Sequence, residues 1–212
     1  MAVRNVTLVA GLSGFGKSTF ALRYLVNADL AIRFLFDPEC GEFDPSKGEF
    51  ASRLGLTPAD TGYALHFALC NYWVAFDPHG IFTGRLKEAF EFYCDWSWEK
   101  SALIPGEKIL VVDEIWQYCS PHSIPQELQT IVQSGRKRGL RLMCLTQEPN
   151  RLNSSILNGM SEMVCFKLQS GPALDKAEEM GFDRAEIASL APLHFVARNL
   201  DSGGELRGAI TL

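Results

Sequence analysis

The stretch Gly11-Leu12-Ser13-Gly14-Phe15-Gly16-Lys17-Ser18-Thr19 meets every requirement of the phosphate-binding pattern G-x-x-x-x-G-K-[ST]. Gly11, Gly14 and Gly16 permit positive φ and a close approach of backbone to an anion. Successive amide N–H groups, from Ser13 through Gly14, Phe15, Gly16, Lys17, Ser18 and Thr19, are then free to point inward at it. Lys17 offers a point charge for the β and γ phosphates, and the Ser18 hydroxyl a ligand for Mg²⁺. The helix expected to begin near Lys17 adds its positive dipole end.

Two acids and an amide extend the possible chemistry. Asp113 and Glu114 end the apolar run Ile109-Leu110-Val111-Val112. Carboxylates at the tip of a central strand lie where ligands bind in open α/β sheets. Asp113 is expected to hold Mg²⁺ through water, and Glu114 to polarise an attacking water as general base. The alternative for Glu114 is an exposed acid near a helix start. Gln147, in Thr146-Gln147-Glu148-Pro149, is placed to touch a γ-phosphate or the lytic water, or is simply a turn residue ahead of a proline. The densest positive charge is Gly135-Arg136-Lys137-Arg138-Gly139. It either complements a helix dipole or sends an arginine into a neighbouring subunit's site. Such a finger is worth about 10³–10⁵ in rate, and a lysine lacks the planar fork for it.

Elements of the right kind surround these residues. Val6–Ala10 reads as a short buried strand feeding the loop, and Phe20, Ala21, Tyr24 and Leu25 follow at helical spacing. Further strands are predicted at 31–36, 72–76, 109–112, 140–146 and 163–168. Helices are predicted to start near Thr57–Asp60, with Ala64–Cys70 on that helix, then from Arg85 to about Lys100, from Pro125 at the first helical position to Gly139, and at about 173–180. Phe195–Arg198 and Leu206–Ile210 flank Ser202-Gly203-Gly204 as a terminal hairpin. Alternating strands and helices indicate an α/β fold with a mostly parallel central sheet covered on both faces.

The bulk numbers are compatible with that reading. The chain has 212 residues, 47% hydrophobic and 21% charged, with a net charge of −5. It is expected to form one domain over 1–212, with a core at about 5–168 and a C-terminal helix and hairpin at about 169–212. The acidic balance argues against a protein that coats nucleic acid through overall basicity, but not against a local basic loop. The six cysteines are scattered, with no C-x-x-C pair, and suit small buried hydrophobes in a reducing compartment. No signal peptide or membrane span is expected: Val6–Ala10 runs straight into the loop, and the apolar stretch 63–76 is short and interrupted by His66 and Asn71.

Four of these features, in order, resemble the FtsK–HerA superfamily of ring-forming, DNA-pumping P-loop ATPases. They are the phosphate loop, Val111-Val112-Asp113-Glu114, the Arg-x-x-Gly of Arg136 to Gly139, and Thr146-Gln147-x-Pro149. A weaker fifth is Phe36-Asp37-Pro38-Glu39-Cys40-Gly41-Glu42-Phe43, with one residue more before the glycine than HerA-like members have. The compact chain is most like the genome-packaging ATPases of tailless icosahedral viruses with internal membranes. That resemblance implies ATP and Mg²⁺ as cofactors and a homo-oligomeric ring, with a hexamer the expected size. It implies sequence-independent contact with double-stranded DNA, and docking on a capsid or membrane vertex protein without direct transmembrane anchoring. It places the protein in the host cytoplasm or at a packaging vertex of the virion. It makes Arg136 the better finger candidate and Arg138 the reserve. No DNA-touching residue carries over; Lys47, Arg85 and Lys87 are candidates from charge alone, each with solvated surface charge as the alternative. Residues 44–105 match nothing in the family pattern.

Other readings remain open at this level. A Zot-like or filamentous-phage assembly ATPase would usually bring a transmembrane segment. A small-molecule kinase would need an acceptor pocket and an arginine-bearing lid, whereas the acidic pair and Gln147 favour hydrolysis. GTP switches use an Asn-Lys-x-Asp base reader, which is missing. A non-catalytic binding module sits poorly with an intact Lys17, Asp113 and Glu114.

Overall fold

A computed structural model describes residues 5–36, 38, 73–76, 78–79 and 81–211. The predicted helix start at Thr57–Asp60, the Ala64–Cys70 helix, Lys47 and most of the Phe36–Phe43 segment lie outside the described residues.

The core is an eight-stranded sheet in the order β3-β2-β4-β5-β1-β6-β7-β8. Its strands are β1 (Val6–Ala10), β2 (Ile32–Phe36), β3 (Trp73–Phe76), β4 (Lys108–Val112), β5 (Leu140–Thr146), β6 (Met160–Cys165), β7 (His194–Asn199) and β8 (Glu205–Ala209). The first six are mutually parallel; β7 runs antiparallel to β6, and β8 antiparallel to β7. The terminal hairpin predicted from sequence is therefore present, and it is an extension of the main sheet.

Apolar residues on the central strands alternate between two cores, as the pleat requires. Leu8, Phe34, Phe36, Leu110, Val112, Leu142 and Cys144 face one; Val9, Leu35, Ile109, Val111, Met143 and Leu145 face the other. Burial on both faces explains why β2 and β4 read as near-continuous hydrophobic runs. Helix α1 (Lys17–Asn27) covers the second face with Ala21, Leu22 and Leu25. The first is covered by α2 (Leu86–Ser101) and α3 (Gln126–Ser134), with α4 (Ser154–Gly159), α5 (Gly171–Glu179) and α6 (Arg184–Ser189) beyond.

Several boundaries differ from the sequence expectation. Pro125 is the N-cap of α3, in extended backbone, and Gln126 is the first helical residue. The basic run forms a separate 3₁₀ turn, Gly135–Arg138, closed by Gly139 at φ 65° with its N–H on the Arg136 carbonyl at 3.0 Å. Strand β6 starts three residues earlier than predicted and stops at Cys165; beyond it the Phe166 N–H still reaches the Ala10 carbonyl at 2.8 Å, and the Lys167 carbonyl accepts from Leu12 of the phosphate loop at 2.9 Å. Helix α6 was not anticipated; Asp183 caps it by accepting the Glu186 N–H at 2.8 Å.

Two buried polar side chains fasten this architecture. Arg33, in β2, donates to the carbonyls of Leu25, Ala28 and Leu30 at 2.7–2.9 Å, satisfying orphan acceptors after the last turn of α1. Burial pulls its guanidinium pKa down, and Asp29 partly offsets that. Tyr93, in α2, accepts the Leu35 N–H at 3.1 Å and donates to the Val74 carbonyl at 2.9 Å. Its hydroxyl thus ties α2 to β2 and β3 inside an aromatic cluster with Phe36 and Phe76. The four described cysteines, Cys94, Cys119, Cys144 and Cys165, are all buried and unbridged. Burial raises every one of these thiols, that of Cys119 to about 12.

Replacing Tyr93 by Phe leaves a buried N–H and a buried carbonyl without this partner. The expected loss is about 1–3 kcal/mol of stability, read as a lowered denaturation midpoint with an unchanged m-value.

Candidate active site

The sheet order sets the site. Strand β5 lies between β1 and β4, and the three are parallel with matched registers. Their C-terminal tips therefore share one edge, with the phosphate loop after Ala10, Gln147 after Thr146, and Asp113-Glu114 after Val112. Gln147 sits between the other two.

In the phosphate loop, Gly14 and Gly16 adopt positive φ, 75° and 110°. Gly11 is needed for a different reason than the predicted freedom of φ. A Cβ there would lie 2.5 Å from the Phe166 Cβ, so the strand exit must be bare. Backbone bonds pin the loop to its neighbours: Gly11 N–H to the Thr146 carbonyl at 3.1 Å, and Leu12 N–H to the Lys167 carbonyl at 2.9 Å. The terminal hairpin contributes too. Leu193, itself at φ 65°, donates its N–H to the Phe15 carbonyl at 3.1 Å. Nothing in the sequence announced Leu193 as a loop partner. Ser13 and Gly14 are exposed at the loop tip, while Phe15, Gly16, Ser18 and Thr19 are partly buried.

Lys17 is 93% shielded, with its Nζ 3.4 Å from the Leu12 carbonyl and 3.8 Å from Glu114 Oε1. Glu114 is the N-cap of a 3₁₀ turn, Ile115–Gln117, and is left-handed at φ 41° and ψ 50°. Its N–H donates to Asp113 Oδ1 at 2.8 Å. Gln147 gives Nε2 to Glu114 Oε1 at 2.8 Å and its backbone N–H to Oε2 at 3.3 Å. Trp116 adds its indole Nε1 on Oε2 at 2.8 Å. Of the predicted residues, Glu114 thus contacts both Lys17 and Gln147. Trp116 was not singled out from sequence; the available signal was an indole donor two residues after the acid.

The donor set suits Mg²⁺ better than a caged metal. No group of three or more His, Cys, Asp or Glu converges among the described residues. One carboxylate at the tip of β4 and one hydroxyl at the start of α1 match a small cation shared with phosphate oxygens and water.

The basic residues lie elsewhere. Arg136 is exposed and lines a cavity of about 520 Å³ with Asn5, Glu107, Arg141 and Glu162, at the N-terminal edge of the strands. The seven residues of β5 separate that edge from Gln147, about 20 Å at ~3.3 Å per residue. Arg138 donates to the Trp98 carbonyl at 2.7 Å and stacks 3.7 Å from the Trp98 ring centroid, so its fork is engaged within the chain. Arg85 is paired with Glu88 at 3.0 Å, and Lys87 is exposed. No helix among the described residues is long and apolar enough to cross a membrane.

By sequence, no known family and no curated protein matches the chain. By structure it is similar to the genome-packaging NTPase B204 of Sulfolobus turreted icosahedral virus 2, in complex with AMP. The match has a TM-score of 0.70 and 17% identity, and covers 100% of both chains. It is also similar to the bacterial conjugative coupling protein TrwB, with a TM-score of 0.64 and 12% identity over 99% of this chain and 85% of that one. VirB4 of Thermoanaerobacter pseudethanolicus aligns with a TM-score of 0.67 and 14% identity over 98% and 89%. The described residues have the P-loop NTPase fold of B204, a mostly parallel sheet flanked by helices with an antiparallel hairpin at its end.

Proposed function

We propose that this protein is an ATP-hydrolysing motor of the FtsK–HerA kind, working as a homo-oligomeric ring that drives double-stranded DNA into a preformed viral capsid. The observation that carries hydrolysis is Glu114, held 3.8 Å from Lys17 and bonded through Oε1 to Gln147 at the shared strand edge. The DNA-packaging part is supported by the full-length likeness to B204.

In this reading the loop amides from Ser13 to Thr19 and the Lys17 ammonium hold the phosphates. Ser18, and Asp113 through water, would hold Mg²⁺, which would supply positive charge to offset that of the phosphates. Glu114 takes a proton from water as its oxygen bonds to the γ-phosphorus and the bond to the β-phosphate oxygen breaks, leaving ADP and phosphate. Gln147 orients that water or senses the γ-phosphate. Arg136 cannot serve its own Glu114 across the length of β5, but its exposure suits it to a neighbour's site. Arg138 is the weaker finger because Trp98 already holds it. A ring would contact DNA through its phosphates, giving salt-sensitive binding without base preference.

A second reading, a motor that moves DNA or protein across an envelope, is favoured by the likeness to TrwB.

Glu114→Gln is expected to keep ATP binding while turnover falls by about 10²–10⁴-fold, whereas Lys17→Ala loses binding itself. Wild-type turnover should rise when double-stranded DNA is added, with no preference among sequences. Near-normal hydrolysis by Glu114→Gln would contradict the assignment of the base, and a rate indifferent to DNA would contradict the motor.

A further inference from the structure

Glu114 has two features that proton abstraction alone does not explain. Its backbone is left-handed although it is not glycine, a conformation that persists only where the surroundings hold it. Its carboxylate also receives side-chain donors on both oxygens, Gln147 Nε2 on Oε1 and Trp116 Nε1 on Oε2, each at 2.8 Å, with the Gln147 backbone N–H a longer second donor to Oε2 at 3.3 Å. The two features are linked. The left-handed residue opens the tight turn Ile115–Gln117, whose Gln117 N–H returns to the Glu114 carbonyl at 2.9 Å, and that turn carries the indole back to the carboxylate.

The two side-chain donors are not equivalent. A glutamine amide both donates and accepts and swings on flexible torsions, so Gln147 is able to leave Oε1 for a phosphate oxygen or a water. An indole only donates, on a rigid ring with few torsions. Here that ring packs against the larger hydrophobic core. Its face lies 5.1 Å from the Arg151 guanidinium, which is itself paired with Glu148. Trp116 is therefore clamped on its apolar side and bonded on its polar edge.

We propose that Trp116 is a positioning residue for the general base. The indole N–H fixes Oε2, and with it the carboxylate plane, so that Oε1 keeps its aim at the lytic water when the Gln147 amide turns away. This rests on the reading of Glu114 as the base. Gln147 is the movable partner and Trp116 the fixed one. Without the indole, Oε2 keeps only the longer bond from the Gln147 backbone N–H, the carboxylate plane is held less firmly, and the fraction of productive encounters falls. Nucleotide affinity, which depends on the phosphate loop, does not change.

The test is ATP turnover and nucleotide binding by Trp116→Phe, which keeps a ring for Arg151 and the core but removes the N–H. Loss of a hydrogen bond to a charged group should lower kcat about 10–100-fold, with the Kd for a hydrolysis-resistant ATP analogue unchanged. In a Glu114→Gln background the same change should cause no further loss, because the two residues act as one unit. Wild-type kcat in Trp116→Phe, or an equal loss in both backgrounds, overturns the proposal, the latter marking a structural role. Normal turnover by Glu114→Gln alone would instead sink the base assignment beneath it. A second readout does not depend on how Trp116→Phe folds. Glu114→Ala should alter tryptophan emission relative to wild type by unpairing the indole, and superimposable spectra would overturn the proposal.

Discussion

The arrangement depends on the in-register parallel pairing of β1, β5 and β4. Because the three strands run the same way and end at one edge, Glu114 meets both Lys17, far earlier in the sequence, and Gln147, on the next strand. The pairing is held by burial on both faces, which leaves little freedom of register: a slip of one residue would turn each apolar side chain to the opposite core. The same constraint explains how a phosphate loop without side-chain caps stays in place. Its neighbours' backbones hold it, from the Thr146 carbonyl on one side to Lys167 and Leu193 on the other.

The geometry also fixes what the chain cannot do alone. Glu114 and Arg136 lie at opposite edges of the sheet, with β5 between them. An arginine there is useless to its own nucleotide, yet exposed and forked, while the second arginine of the run is stacked on Trp98. A ring in which the strand tips of one copy meet the strand starts of the next uses both edges. This is the physical basis on which we propose an oligomeric motor.

Much of this was legible in the sequence, for identifiable reasons. The phosphate loop is local, and its glycines and lysine spell out its chemistry. The buried strands announce themselves as β-rich apolar runs, and the acids after Val112 and the amide after Thr146 inherit their positions from those runs. What escaped was set by contacts distant in sequence. The steric need for Gly11 comes from Phe166. The clasp from Leu193 needs a positive φ at a leucine, which no composition signal marks. Arg33 lies inside a predicted strand, and its role in capping the end of α1 depends on a contact that only the fold makes. Trp116 was not singled out from sequence, because only the turn at Glu114 brings its N–H round to the carboxylate.

The central claim is that the nucleotide is cleaved at a seam between identical subunits, with Glu114 supplied by one and Arg136 by the next. Mixing Arg136→Ala subunits with Glu114→Gln subunits tests it most directly, by the ATPase rate across mixing ratios. Two preparations inactive on their own are expected to regain turnover when combined, because some mixed interfaces recover both groups. No recovery at any ratio, in mixtures shown to co-assemble, would contradict the shared site.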